Sequence, residues 1–260
     1  LDGNEFIDMC IMGIGTNTLG YGHPEVDAAV MQTLSTGNMS TLNCPEEVYL
    51  AEKLIEMHPW ADMARFARSG GEANAVAIRI ARAASGKDKV AICGYHGWQD
   101  WYISKTSMNG GIPNAIGDFT HAFAYNDLDS LKQLFSKYVD NIAAVIMEPT
   151  RFVEPSCYED NCTQTTETGC KYNFLHKVKE LTEENGSILI FDEMVTGFRF
   201  SNTGAQGLFN VKPDLTCIGK ALTNGLPLSA VFGSKKIMKN FTKIFYSLTC
   251  AGEALSLAAA

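Results

Sequence analysis

No apolar run in this chain approaches the roughly 20 residues that a membrane-crossing helix needs, and no charged-then-apolar leader opens it. A cytoplasmic location is the expectation. Basic character is scarce as well: 21 Lys and Arg stand against 29 Asp and Glu, for a formal net charge of -8. Nucleic acids and anionic membrane surfaces select basic patches, so neither is an expected partner. The dinucleotide-binding turn is incomplete, because Gly13-Ile14-Gly15 leads to Thr18 where that turn needs its third glycine. Paired-cysteine zinc spacings are missing too, although the chain holds eight cysteines.

What is present is an ordinary globular composition, 260 residues with 46% hydrophobic content, enough to bury a substantial core. Cys10, Cys93 and Cys217 lie in apolar stretches and read as reduced core residues. Cys157, Cys162 and Cys170, followed by His176, sit at spacings that fit a polar surface loop better than a metal site. The stretch begins at Leu1 and ends in the alanine-rich run Leu257-Ala258-Ala259-Ala260, as a piece of a longer protein would.

The chain is organised around residues 188–233. The apolar run Ile188-Leu189-Ile190-Phe191 stops on Asp192-Glu193, and Leu215-Thr216-Cys217-Ile218 stops on Gly219-Lys220. Short apolar runs bounded by glycines and polar turns predict buried parallel strands, at whose carboxyl ends ligands collect. One carboxylate and one amine are thus expected on one rim. Pyridoxal phosphate chemistry uses such a pair: a lysine amine for a Schiff base, and an aspartate to keep the pyridine nitrogen protonated. Further strands are expected near residues 5–8, 62–67, 89–93, 142–147 and 230–233.

Helices are predicted where the apolar period is near 3.6. One starts at Pro24 with Val26, Ala29, Val30 and Leu34 inward; a second covers residues 45–58 with Val48, Leu50, Ala51, Leu54 and Ile55 inward. Others cover residues 127–135, 174–185 and 234–241. Ser69-Gly70-Gly71-Glu72 is a capping box opening a long helix. Its two glycines also leave helix-start N–H groups unobstructed, which suits a phosphate.

Phe191 to Arg199, Lys212 to Leu222 and Asn224-Gly225-Leu226-Pro227-Leu228 resemble, in order and spacing, the signature of the class III aminotransferases, fold-type I pyridoxal phosphate enzymes that include glutamate-1-semialdehyde aminomutase. The resemblance implies a mainly parallel α/β large domain over residues 44–260, incomplete and without its carboxy-terminal small domain. Residues 1–43 would form an amino-terminal segment near the substrate entrance. It casts Lys220 as the Schiff-base lysine and Asp192 as the pyridine partner. Gly70 and Gly71 become the phosphate turn, although the family usually has Thr or Ser where Gly71 stands.

Gly94-Tyr95-His96-Gly97 resembles the family's Tyr-His-Gly motif, which assigns Tyr95 to stacking on the cofactor ring with His96 a weaker neighbour. Glu148-Pro149 resembles a strand-end motif whose Glu joins the network around the Asp. Met194 stands where the family commonly presses Val on the cofactor face, and Val153 stands where many users of 2-oxoglutarate carry a second Glu. Thr249 either caps a helix or, by resemblance, binds the phosphate of the partner subunit's cofactor, which would require a homodimer. The expected activity is transamination of small amines and carbonyl compounds. The alternatives are an aminomutase-like transfer within one substrate, disfavoured by Trp98 where a further His is usual, and a non-catalytic binding protein on the same fold.

Overall fold

Among the described residues seven short strands pair into one sheet: β1 (Met63–Ala67), β2 (Lys89–Cys93), β3 (Thr120–Ala122), β4 (Ile142–Met147), β5 (Ile188–Asp192), β6 (Leu215–Ile218) and β7 (Ser229–Gly233), in the order β1-β7-β6-β5-β4-β2-β3. The computed structural model describes residues 2–150, 152–158, 170 and 172–260. From β3 through β6 every pairing is parallel, while β7 runs antiparallel to both β6 and β1. The mainly parallel sheet expected from the sequence is therefore present. β4 is buried at all six positions, as an unbroken Ile-Ala-Ala-Val-Ile-Met run should be when helices cover both faces.

Those helices are α1 (Pro24–Thr36), α2 (Pro45–Met57), α3 (Gly70–Ser85), α4 (Leu128–Lys137), α5 (Phe174–Glu184), α6 (Gly204–Phe209) and α7 (Ala254–Ala259). Alternate residues of a strand face opposite sides. Ile190 accordingly packs with Ala73, Val76, Ala77 and Ile80 of α3, while Leu189 and Phe191 pack with Leu131 and Phe135 of α4 and Leu175 and Val178 of α5. α3 opens on the expected capping box: Glu72 N–H donates to Ser69 Oγ (3.3 Å) and Ser69 N–H to Glu72 Oε2 (2.8 Å). Gly86 ends it in the left-handed region at φ 71°.

Register brings the strand ends level. Cys93 pairs with Met147, Met147 with Phe191, and Asp192 with Cys217. Gly94, Glu148, Asp192 and Gly219 therefore leave the sheet along one rim. β3 lies on one side of β2 and β4 on the other, so this rim includes the point where the strand order reverses, the usual place for a ligand crevice in open α/β sheets.

Several expectations need correction. The strand expected near residues 5–8 does not form: Phe6 and Ile7 are more than four-fifths exposed and meet no sheet edge among the described residues. Cys10 is exposed rather than in the core, whereas Cys93 and Cys217 are buried. On α1 the fourth inward position is Thr33, not Leu34, and on α2 Val48 faces outward. In each helix the apolar stripe is narrower than the count of apolar residues suggests. Cys157 and Cys170 form a disulfide across 5.8 Å between Cα atoms, a pairing that spacing alone did not indicate. Cys162 lies outside the described residues. No described helix is long and apolar enough to cross a membrane.

Candidate active site

Asp192 closes β5 and is buried, so its carboxylate must be satisfied by protein groups. It is. Oδ2 accepts from Asn74 Nδ2 and from His96 Nδ1, each at 2.8 Å, and Oδ1 accepts from the Met194 N–H at 3.1 Å. Asn74 belongs to the first turns of α3 and His96 to the loop after β2, so the acid ties three parts of the fold together. The arrangement fixes the His96 tautomer, since a ring nitrogen facing a carboxylate carries the proton. Two buried polar atoms beside it, His96 Nε2 and Asn74 Oδ1, have no hydrogen-bond partner among the described residues.

A cleft of about 340 Å³ opens above this acid, and Ser69, Gly70, Gly71, Tyr95, Glu148, Asp192, Met194 and Lys220 all line it. Seven of the eight site residues expected from the sequence thus meet in one cavity. Lys220 opens a short 3₁₀ turn, half-buried, with φ at 46°. A lysine in the left-handed region is strained by about 1 kcal/mol, and such strain is retained where surrounding structure imposes it, as at active sites. No described residue makes a hydrogen bond or ion pair with its amine. Glu148 is buried and accepts the Tyr95 N–H through Oε2 (2.9 Å), which anchors the start of the aromatic loop.

The glycines here are required by close approach. A Cβ on Gly70 would lie 2.8 Å from Met194 Sδ, and one on Gly219 would lie 2.7 Å from the same sulfur, so Met194 crosses the floor between them. A Cβ on Gly97, at φ 104°, would lie 2.8 Å from Gly71 Cα. Helix-start N–H groups, which lack acceptors within their own helix, are left open to an anion at Gly70 and Gly71. The other wall cation, Arg68, is engaged: Nη1 meets Glu253 Oε2 at 2.8 Å and the Pro227 carbonyl at 2.9 Å, and Nη2 reaches the Ala251 carbonyl at 2.6 Å.

The eighth expected residue, Thr249, is not in the cleft. It is exposed, and it caps no helix either, because Glu253 accepts the Leu255 N–H at 2.9 Å and so starts α7. Two residues were under-read. His96, taken as a weak neighbour of Tyr95, binds the acid directly. Asn74 carried a usable signal: it is a polar residue on the inward face of an otherwise apolar helix, and buried amides require partners. The amino-terminal loop comes alongside, with Leu19 N–H donating to Asn224 Oδ1 (3.0 Å), Asn224 Nδ2 to the Gly20 carbonyl (2.9 Å), and Thr16 in the cleft wall. Among the described residues no cluster of His, Cys, Asp and Glu could hold a metal ion.

Comparison with known proteins shows the family and the fold. The family model described as aminotransferase class-III matches residues 1–260. A 3-aminobutyryl-CoA aminotransferase of Cloacimonas acidaminovorans is 38% identical over 251 residues, covering 96% of this chain and 58% of the relative. A glutamate-1-semialdehyde 2,1-aminomutase of Methanococcus maripaludis is 35% identical, covering 99% and 61%. Among solved structures, the PLP internal aldimine form of the Sphingopyxis sp. MTA144 FumI protein superposes with a TM-score of 0.83 at 30% identity, over 96% of this chain and 58% of that one. The chain spans about three-fifths of the length of the relatives it matches.

Proposed function

We propose, for a chain that belongs to the class III aminotransferases, that the whole protein is a pyridoxal-phosphate-dependent transaminase working at the cleft between Asp192 and Lys220. The observation that carries this is the convergence of a buried, triply bonded carboxylate, an unpaired lysine and a glycine-started helix on one cavity. The cavity suits the group: two orphaned buried polar atoms stand beside the acid, and the glycines at the helix start line the cleft with backbone N–H groups and no side chain of their own.

When bound, pyridoxal phosphate supplies an electron sink that lets a proton leave the carbon bearing the substrate amine. Lys220 would be the attachment residue, and its amine, when free, would carry that proton. Asp192 would hold a proton on the ring nitrogen, and the bonds from His96 Nδ1–H and Asn74 Nδ2–H keep its carboxylate oriented. Tyr95, half exposed in the same cleft, would provide the stacking face, and Met194 would offer an apolar surface to the ring. The Gly70 and Gly71 N–H groups hold the phosphate, and Glu148 positions the Tyr95 loop.

On this reading residues 44–260 form the cofactor-binding large domain, residues 1–43 border the substrate entrance, and the protein works in the cytoplasm. Exposed Thr249 reaches the cofactor phosphate of a second subunit in a homodimer. The test is the visible absorption of the whole protein purified with pyridoxal phosphate. A yellow band that bleaches with an amine donor, and that Lys220→Ala lacks, is the expected outcome; a band that survives the substitution would remove Lys220 from its role. The 35% identity to an aminomutase supports a second reading, transfer within one substrate. Turnover of a single aminated substrate without any separate amino acceptor would select it.

A further inference from the structure

Gly71, second residue of α3, lacks a side chain at the point of the cradle where one could reach an anion. The space is filled from elsewhere. A Cβ on Gly71 would lie 2.0 Å from Gln99 Oε1, 2.4 Å from Nε2 and 2.5 Å from Cδ, and a Cβ on Gly97 would lie 2.7 Å from the same Oε1. The carboxamide of Gln99 is therefore wedged between the first turn of α3 and the Gly97 loop, and both of those glycines line the cleft.

The Gln99 backbone is anchored while its side chain is uncommitted. Its carbonyl accepts the Tyr102 and Ile103 N–H groups at 3.0 Å, opening the one-turn helix Asp100–Ile103, yet its side chain caps nothing there. Oε1 is buried with no hydrogen-bond partner among the described residues. A carboxamide serving only as filler would be expected to satisfy its buried end, because an unmet polar atom is costly. A carboxamide beside an anion site has another use, since turning about its last torsion exchanges the carbonyl for an NH₂ carrying two donors.

We propose that Gln99 is a phosphate-binding residue of this cleft, its NH₂ supplying the side-chain donor that Gly71 does not. The proposal rests on the cofactor reading above. It explains why the two glycines and Gln99 go together: a side chain at position 71 and the Gln99 carboxamide cannot occupy the same space. The ligand class is a phosphate monoester dianion, to which a charge-assisted hydrogen bond from a neutral amide is favourable.

The test measures affinity and environment rather than turnover. Dissociation constants for pyridoxal phosphate and for unphosphorylated pyridoxal are taken by fluorescence titration on the whole protein, with the phosphorus resonance of the bound cofactor followed by NMR. Gln99→Ala is expected to weaken pyridoxal phosphate by about tenfold or more, the scale of one hydrogen bond to a charged group, to leave pyridoxal within about twofold, and to shift the phosphorus resonance. Gly71→Ser alone is expected to weaken binding, because its Cβ meets the carboxamide. In Gly71→Ser/Gln99→Ala the hydroxyl has room, and affinity is expected to return to within about threefold of the parent. Equal weakening of both ligands, or no weakening of either, would overturn the phosphate role while leaving the cofactor reading intact. Parent protein that binds neither ligand would overturn both.

Discussion

Asp192 and Glu193 are adjacent carboxylates, both buried, at the end of one strand, and they face opposite ways. Asp192 points to the cleft; Glu193 points to the far side, where Oε2 accepts from Thr196 Oγ1 (2.6 Å) and the Ala205 N–H (2.7 Å), and Oε1 from the Gln206 N–H (2.9 Å) and Gln206 Nε2 (3.1 Å). Each acid is fully bonded, so bonding does not separate them. What separates them is the company. Around Asp192 two polar atoms are unmatched and a cavity opens, whereas around Glu193 the donors close on the carboxylate and on little else. Orphaned groups and open space accompany Asp192; closure accompanies Glu193.

The comparison breaks most readily at Asp192→Asn. An amide cannot hold a proton on the ring nitrogen, so turnover is expected to fall by about three orders of magnitude, within the range for a positioned proton-transfer group. The fold should tolerate it. His96 can move its proton to the now orphaned Nε2, and Asn74 can turn its unmatched Oδ1 toward the new NH₂, so the melting temperature should stay within about 3 °C. Steady-state kinetics beside a thermal melt checks both halves. A variant that keeps its activity would mean that Asp192 is as structural as its neighbour.

Glu193→Gln should behave in the opposite way. Whichever oxygen becomes NH₂, it meets a backbone N–H that cannot turn, Gln206 on one side and Ala205 on the other. An acceptor replaced by a donor facing a fixed, buried N–H costs about 2–3 kcal/mol, or about 5–10 °C of melting temperature at 2–4 °C per kcal/mol. Activity per folded molecule should stay within about threefold. A loss of activity larger than the loss of folded protein would place Glu193 in the chemistry.

The same pair can be sharpened by pH. Burial pushes the Glu193 carboxyl above the ordinary carboxylate range, outweighing the four donors that pull it down. The native state then keeps a proton that the unfolded chain has already released. Stability contributed by this group is full below the unfolded value, near 4.5, and is lost as pH climbs toward the raised native value. The slope is at most about 1.4 kcal/mol per pH unit. Denaturant unfolding of the parent and Glu193→Gln across that window should show the gap between them narrowing as pH rises. A gap that widens instead would mean that the donors, not burial, set the proton affinity.

Much of this was legible in the sequence, and the reasons are local. β4, β5 and β6 are short apolar runs with abrupt polar ends, so both their existence and the residues at their rims could be read directly. The capping box at Ser69 and Glu72 placed the start of α3 because cap chemistry spans only four residues. Partnerships across the fold were not legible: Asn74 and His96 stand 118 and 96 residues from Asp192, and nothing local says which buried polar groups meet. Nor was the exposure of Phe6, Ile7, Met9 and Cys10, since an apolar stretch reads as core whether or not a sheet edge is there to receive it. Gln99 escaped for a related reason, because its role depends on a side chain that another residue lacks.

The smallest expected effect uses the cysteines as reporters of the two sides. Cys217 is in register with Asp192, and its carbonyl accepts the Glu193 N–H at 2.8 Å, so it sits beneath both acids. Burial, reinforced by the Asp192 charge, pushes its thiol well up, and burial holds the Cys93 thiol up at about 12. Because the thiolate is the reacting species, neither should be alkylated in native protein at pH 8, while exposed Cys250 reacts and exposed Cys10, its thiol pushed up by Asp8, reacts more slowly than its exposure alone suggests. Asp192→Asn should leave Cys217 protected, since burial is the larger cause. Glu193→Gln should speed its labelling in proportion to the lost stability, about thirtyfold for 2 kcal/mol, if opening of the fold is what exposes it. Peptide mapping after timed alkylation reads these rates. Native-state labelling of Cys217 that depends on Asp192 and not on Glu193 would show that the floor of the cleft opens by itself, and that the two acids do not sit on one closed strand end.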